Sequence, residues 1–156
     1  MKTTTGKQYR QTAARILLVA ALLGFGATAH AQSYRYGQVR DKLFLAAVYL
    51  LNRGFVLTHQ PIIDVIDPAV QGYYDIALRF ERGVQYGLVG VGDQYTGVVN
   101  FVLYDEQGHA LVADTRRSDV AMVTFVPYYS GRYRLRLWIP VCRAPQCVFG
   151  VAAFGQ

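Results

Sequence analysis

Histidine, cysteine, methionine and tryptophan are all scarce in this 156-residue chain, with three, two, two and one of each. A structural zinc site needs about four ligands, and beyond residue 31 only His59 and His109 are left to join the two cysteines. The sequence contains no G-x-S-x-G and no H-E-x-x-H, so Ser118 and Ser130 lack the context of a strand-to-helix nucleophile. Long apolar runs are missing too. The densest one, from Ile16 to Ala29, is interrupted by Gly24 and Gly26 and falls short of the roughly 20 apolar residues a membrane span requires. No cysteine follows it, which excludes a lipid-modified N-terminus at that point.

What is present begins with an address. Met1 to Arg15 carries Lys2, Lys7, Arg10 and Arg15 and no acid, an apolar block follows, and Ala29-His30-Ala31 places small residues at −3 and −1 of a cleavage site. This is the pattern of a secretory signal peptide over residues 1–31; a transit peptide would be amphipathic where this block is solidly apolar. The mature chain is expected to start at Gln32, in the periplasm or outside the cell, where disulfides persist. Export also changes the charge reading. The formal net charge of +6 includes the four leader cations, and beyond residue 31 twelve cations face ten acids, a net of +2. That balance offers no concentrated basic face for a nucleic acid.

The remaining residues fit one domain. Eleven of the twelve tyrosines and seven of the eight phenylalanines lie there, a composition that favours strands. One helix is predicted, Gln38 to Asn52, where Val39, Leu43, Ala46, Ala47 and Leu50 form a single apolar stripe that packs against the sheets. Arg53-Gly54 closes it. Phe55 to Thr58 and Ile62 to Ile66, punctuated by Pro61 and Pro68, read as short edge strands. From Gly72 the alternation is regular. Tyr74, Ile76, Leu78 and Phe80 alternate with Asp75, Ala77, Arg79 and Glu81, and further strands are expected at Val84 to Val91, Val98 to Tyr104, Ala110 to Ala113 and Val120 to Val126. Tyr133 to Val141 and Val148 to Phe154 are expected to form a closing hairpin. Such a series with Gly-bearing turns and no intervening helices predicts a mainly β fold: an antiparallel, jelly-roll-like sandwich of about seven to eight strands, residues 72–156, with one N-terminal helix and a connecting segment, residues 32–71, packed on it.

Gly72-Tyr73-Tyr74-Asp75-Ile76-Ala77-Leu78, Gly83-Val84-Gln85-Tyr86, Phe101 to Gly108, Phe125-Val126-Pro127 and Ser130-Gly131-Arg132-Tyr133 follow one another in order. Over about residues 72–156 this series resembles the bacterial pre-peptidase C-terminal domain, a β-sandwich often appended to secreted proteases and related to the collagen-binding domains of clostridial collagenases. The resemblance implies an extracellular sandwich that assists secretion or binds polymers, with calcium in some members. Here a helix, not a protease, precedes the module, and the calcium-binding cluster of acids and amides has no counterpart.

Cys142 and Cys147 bracket Arg143-Ala144-Pro145-Gln146, and an even pair in an exported chain reads as a disulfide. A loop this short limits the stabilisation to about 2 kcal/mol. Arg132, Arg134, Arg136 and Trp138 share one face of their strand, opposite Tyr133, Leu135, Leu137 and Ile139. Guanidiniums pair with carboxylate or phosphate and an indole stacks on sugar rings, so the face is a candidate platform for a glycan or another anionic envelope polymer; its bland alternative is a solvated strand whose Trp lies under the helix or the Cys142 loop. Tyr95 is a further candidate contact. Asp93, Asp105, Glu106, Asp114 and Asp119 fall at successive strand ends, positions from which calcium takes its roughly six to eight oxygens, although turn chemistry accounts for each separately.

The expectation is therefore an exported, non-catalytic β-sandwich that binds a glycan, an anionic polymer or a protein partner, with no nucleic acid, no obligatory cofactor and no membrane span once the leader is removed. A structural or secretion-assisting module without a specific ligand is the alternative. A small hydrolase is another, since a pair of carboxylates that meets only in space is invisible in sequence.

Overall fold

Residues 32–156 are described by a computed structural model of the chain; the expected signal peptide, residues 1–31, and its expected cleavage site lie outside them. Helix α1 covers residues 32–51, six residues earlier than the apolar stripe predicts. Its first turns have no stripe to detect, but Arg35 there reaches the sandwich through an ion pair with Asp93. The far end stops as the sequence indicates. Gly54 takes a positive φ of 86°, Phe55 N–H donates to the Leu50 carbonyl and Gly54 N–H to that of Leu51, a Schellman closure in which Phe55 folds back beside Leu50.

Nine strands follow: β1 (Val56–Leu57), β2 (Ile62–Ile66), β3 (Tyr74–Phe80), β4 (Tyr86–Gly92), β5 (Thr96–Tyr104), β6 (Ala110–Asp114), β7 (Val120–Phe125), β8 (Gly131–Cys142) and β9 (Cys147–Gly155). They form two antiparallel sheets. One is ordered β1-β9-β4-β7, with β2 also on β9; the other is ordered β3-β8-β5-β6. The segment ahead of residue 72 is thus built into the sandwich, because β1 and β2 pair end to end along β9, at Phe154–Gly155 and Cys147–Val151.

The expected closing hairpin is not formed. β8 pairs with β3 and β5, and β9 lies in the opposite sheet, so the Cys142 to Cys147 link is an arch between sheets. Of the connections between consecutive strands, only β5 to β6 joins neighbours in one sheet. Its turn carries Gly108 at φ 89°, with Gly108 N–H donating to the Asp105 carbonyl. Turn residues bend the chain equally well within a sheet or across the gap. Which occurs depends on what each strand buries.

The gap between the sheets holds the main core, including Ile76, Leu78, Phe80, Leu88, Phe101, Leu103, Leu135, Leu137 and Phe149. Each such side chain contributes about 1.5–3 kcal/mol of burial. Phe80 anchors one end, its ring centroid 4.4 Å from that of Tyr86 and 5.0 Å from that of Phe125. A second core lies outside the five-stranded sheet. There Val39, Leu43 and Leu50 of α1 meet Val89, Val91, Val148, Ala152 and Phe154. β4 and β9 are consequently buried on both faces, and the close approach relies on small residues. A Cβ on Gly150 would fall 2.6 Å from Val39 Cγ1 and 2.8 Å from Leu43 Cδ1.

Candidate functional site

With the helix on the five-stranded sheet, no element among the described residues covers the outer face of the four-stranded sheet. β8 carries its centre. Tyr133, Leu135, Leu137 and Ile139 point into the core and are fully buried, so the alternate residues Arg132, Arg134, Arg136 and Trp138 fall on the outer face and are half-buried or exposed. Trp138 is half-buried and is not beneath α1, which sits on the other sheet.

The flanking strands furnish this face. Across β3 the register sets Asp75 beside Arg136, Ala77 beside Arg134 and Arg79 beside Arg132. Across β5 it sets Tyr104 beside Arg134, Val102 beside Arg136 and Asn100 beside Trp138. Arg136 donates two hydrogen bonds to Asp75, at 2.8 and 2.7 Å, and its guanidinium lies 3.7 Å from the centre of the Tyr73 ring. Arg134 lies 4.8 Å from the Tyr104 ring centre and 3.6 Å from Asp75 Oδ2. The hydrogen-bonded Arg136 holds the Asp75 carboxyl below its ordinary range against the opposing effect of burial, and Asp75 in turn raises Arg136. Both guanidiniums are therefore oriented by an aromatic face and a shared carboxylate.

Further along β8 the compensation stops. Arg132 and Arg79 face each other across the ladder, and neither has an ion-pair partner among the described residues. Like charges in directly opposed positions disfavour the pairing. A groove of about 480 Å³ runs beside Arg132 and Arg134 over Ala77, and its lining is completed by Asp75 and the turn from Asp105 to Gly108. Guanidinium donors and carboxylate acceptors thus line one depression, a mixture suited to the hydroxyl and carboxylate groups of a sugar chain.

The sequence singled out the β8 set but not its partners. Asp75, Arg79 and Tyr104 alternate visibly within their own strands, yet which strand lies beside which is not encoded in alternation. Tyr73 lies outside any strand. Tyr95 is elsewhere, at the Cys142 end of the sandwich, where the Arg35 guanidinium is 5.0 Å from its ring centre and its carbonyl accepts from Arg143 N–H.

The acids do not converge. Asp93, fully buried, binds Arg35 at 2.6 Å and also accepts from Thr96 Oγ1 and the Val148 N–H. Asp119 takes Lys42, Asp105 takes His109, and Asp114 takes Arg116 along with the N–H groups of Arg116 and Met122. The Arg116 hydrogen bond first, then the backbone donors, lower Asp114 to about 2 against the pull of burial. Among the described residues no three His, Cys, Asp or Glu side chains are placed to hold a metal ion. Each of these four acids thus has its own separate partner.

A hollow of about 780 Å³ opens at the Phe80 end and is lined in part by Thr58, His59, Arg79, Glu81 and Ser130. His59 Nδ1 is 3.0 Å from the Thr58 hydroxyl, while Ser130 Oγ accepts from Arg82 N–H. His59 and Ser130 thus have separate partners, which is not the coupling a nucleophile and its base require. Cys142 and Cys147 are joined in a disulfide with Cα atoms 5.9 Å apart, and no helix among the described residues is long and apolar enough to cross a membrane.

No protein-family model and no curated protein matches this sequence. Among solved structures, the pre-peptidase C-terminal domain of a collagenase from Bacillus anthracis is similar over 63% of this chain and 90% of its own length, at 9% identity and a TM-score of 0.51. A periplasmic inhibitor of g-type lysozyme from Aeromonas hydrophila covers 62% of this chain and 85% of its own, at 16% identity and a TM-score of 0.45. The first of these likenesses establishes that the chain has the β-sandwich fold of a pre-peptidase C-terminal domain, and establishes the fold alone.

Proposed function

We propose that this chain is an exported, non-catalytic binding module whose uncovered sheet face holds an acidic glycan of the cell envelope or its surroundings. The observation that carries the proposal is the concentration, on that face, of Trp138, Arg132, Arg134 and Arg136 with Tyr73 and Tyr104 as stacking partners. Carboxylates of the polymer would pair with Arg132, Arg79 and the free edge of Arg134, and a sugar ring would stack on Trp138. Export rests on the leader pattern and accords with the disulfide, which belongs to an oxidising compartment.

A second reading is architectural, and Arg136 favours it: its guanidinium already has both a carboxylate and an aromatic partner within the chain. Affinity electrophoresis in a polyuronate gel, with a neutral glucan gel as control, separates the two. Binding predicts retardation in polyuronate that fades as salt rises, since exposed charges are screened over about 8–10 Å near physiological ionic strength. It also predicts loss of retardation in Arg132→Ser, Arg134→Ser with the thermal midpoint nearly unchanged. Trp138→Ala would weaken retention in both gels. If the wild-type protein migrates freely in both, the face is architecture.

A further inference from the structure

Asn100 is out of place in its strand. Val98, Val99, Phe101, Val102 and Leu103 around it are strand formers, whereas asparagine is depleted in strands because its amide competes with the backbone for hydrogen bonds. The alternation of β5 turns Val99, Phe101 and Leu103 into the core and places Asn100 on the uncovered outer face. Even there it is only 9% exposed, and its Oδ1 is buried with no hydrogen-bond partner among the described residues. A buried acceptor left unmet costs stability. Residues that break a local rule at such a cost concentrate at functional sites.

The surroundings of Asn100 point to a ligand. Its register partner is Trp138, half-buried on the same face and the one tryptophan of the chain. Between Val98 and Asn100 the partners on β8 step from Val141 to Trp138, three residues against two. The bulge encloses Ile139 and Pro140, and Pro140 has no N–H to give to the ladder. Bulges are over-represented beside functional sites, where they re-aim a side chain. The loop from Thr115 to Ser118 passes the same end, the Ser118 carbonyl accepting from Val99 N–H. Of its two arginines, Arg116 is paired with Asp114, and Arg117 is exposed without an ion pair among the described residues. A free guanidinium is therefore common to this end and to Arg132, about 20 Å away along β8 at 3.4 Å per residue. What is peculiar to this end is an indole beside an unmet carboxamide.

A carboxamide both donates and accepts, and its full complement is a group that does the same. Phosphate diesters and ionised carboxylates only accept, whereas a sugar hydroxyl does both, and the face of a pyranose ring suits an indole. Resting on the reading of this face as a glycan site, we infer that Asn100 and Trp138 form a subsite for a hydroxyl-bearing sugar ring of the polymer. The indole shifts to stack on the ring, and the Asn100 Oδ1 it uncovers accepts a hydroxyl hydrogen. The Arg132 end then selects for acid and this end for sugar, which separates a glycan from a polyanion without hydroxyls.

Fluorescence of the single tryptophan reports this subsite directly. Titrating polygalacturonate into the purified protein should change it. Asn100→Val should weaken that binding about tenfold, with a thermal midpoint equal to or above that of the wild type, because a strand former replaces an unmet amide. Asn100→Thr, close to valine in shape but carrying a hydroxyl, should recover part of the affinity. Polyphosphate, charged but without hydroxyls along its chain, should bind the wild type and both variants alike. Wild-type affinity in Asn100→Val, a lowered midpoint, or an equal loss toward polyphosphate overturns the subsite and leaves the glycan reading standing. So does retention in a polyuronate gel without a change in tryptophan fluorescence. Asn100-dependent binding of a neutral glucan, with none of polygalacturonate, keeps the subsite and overturns the acidic ligand. A wild-type protein that binds neither overturns both.

Discussion

The two sheets of this sandwich present opposite outer faces. On the five-stranded sheet, Gly150, Ala152, Val148, Val89 and Val91 are small or apolar, and a helix lies on them. On the four-stranded sheet the corresponding surface carries four arginines, an indole and an aspartate, and no element among the described residues covers it. Alternation gives each strand an inner and an outer set, but the outer set decides whether a second layer can be added. Glycine at the contact lets α1 approach, whereas guanidiniums keep water, and in our proposal a polymer, against the other sheet.

The covered face should be the fragile one. Its most costly single change is expected at Asp93, a fully buried carboxylate that holds Arg35, Thr96 and the β9 backbone. Asp93→Ala leaves those donors without their acceptor and should cost about 3–5 kcal/mol in urea unfolding. Gly150→Val, which drives a branched side chain into Val39 and Leu43, should cost about 3 kcal/mol despite its better strand propensity. The matching change on the uncovered face, Ala77→Val, should stay within about 0.5 kcal/mol. Equal losses from these two valines would erase the distinction between the faces.

Acid provides a milder probe of a corner that links the sheets. Asp114, at the end of β6, holds the crossing to β7 with its carboxyl lowered to about 2 by Arg116 and by backbone donors. Because its folded pKa is depressed, this contribution is complete above the unfolded value of about 3.9 and is lost as pH falls toward 2. It amounts to about 2 kcal/mol. Urea midpoints measured between pH 5 and pH 2 should fall less in Asp114→Asn, which starts lower, than in the wild type; parallel curves would show that another group governs acid stability.

Much of this fold is legible from local pattern. Strand positions from Tyr74 onward follow from alternation, the helix from its stripe and Gly54, and the β8 face from the register of arginines against Tyr133, Leu135 and Leu137. What local pattern does not contain is partnership. Arg82-Gly83 and the Cys142 loop have the same turn chemistry as the β5–β6 hairpin, yet they carry the chain across the core, because β4 and β9 are apolar on both faces and belong where the helix covers them. For the same reason Asp75 and Tyr104 are visible as residues but not as neighbours of Arg136 and Arg134. The first turns of α1 escape detection because a distant carboxylate, and no stripe, engages them.

The position of β9 in the sheet has a consequence for the order of assembly. β9 is the shared partner of β1, β2 and β4, and all three precede it in the chain by distances from about 55 to about 100 residues. Until β9 arrives, β1 and β2 have no strand to pair with, and α1 has only half of the surface it packs on. Topologies dominated by such distant pairings fold slowly and close late. The five-stranded sheet and the helix layer of this design are therefore completed only once β9 is in place.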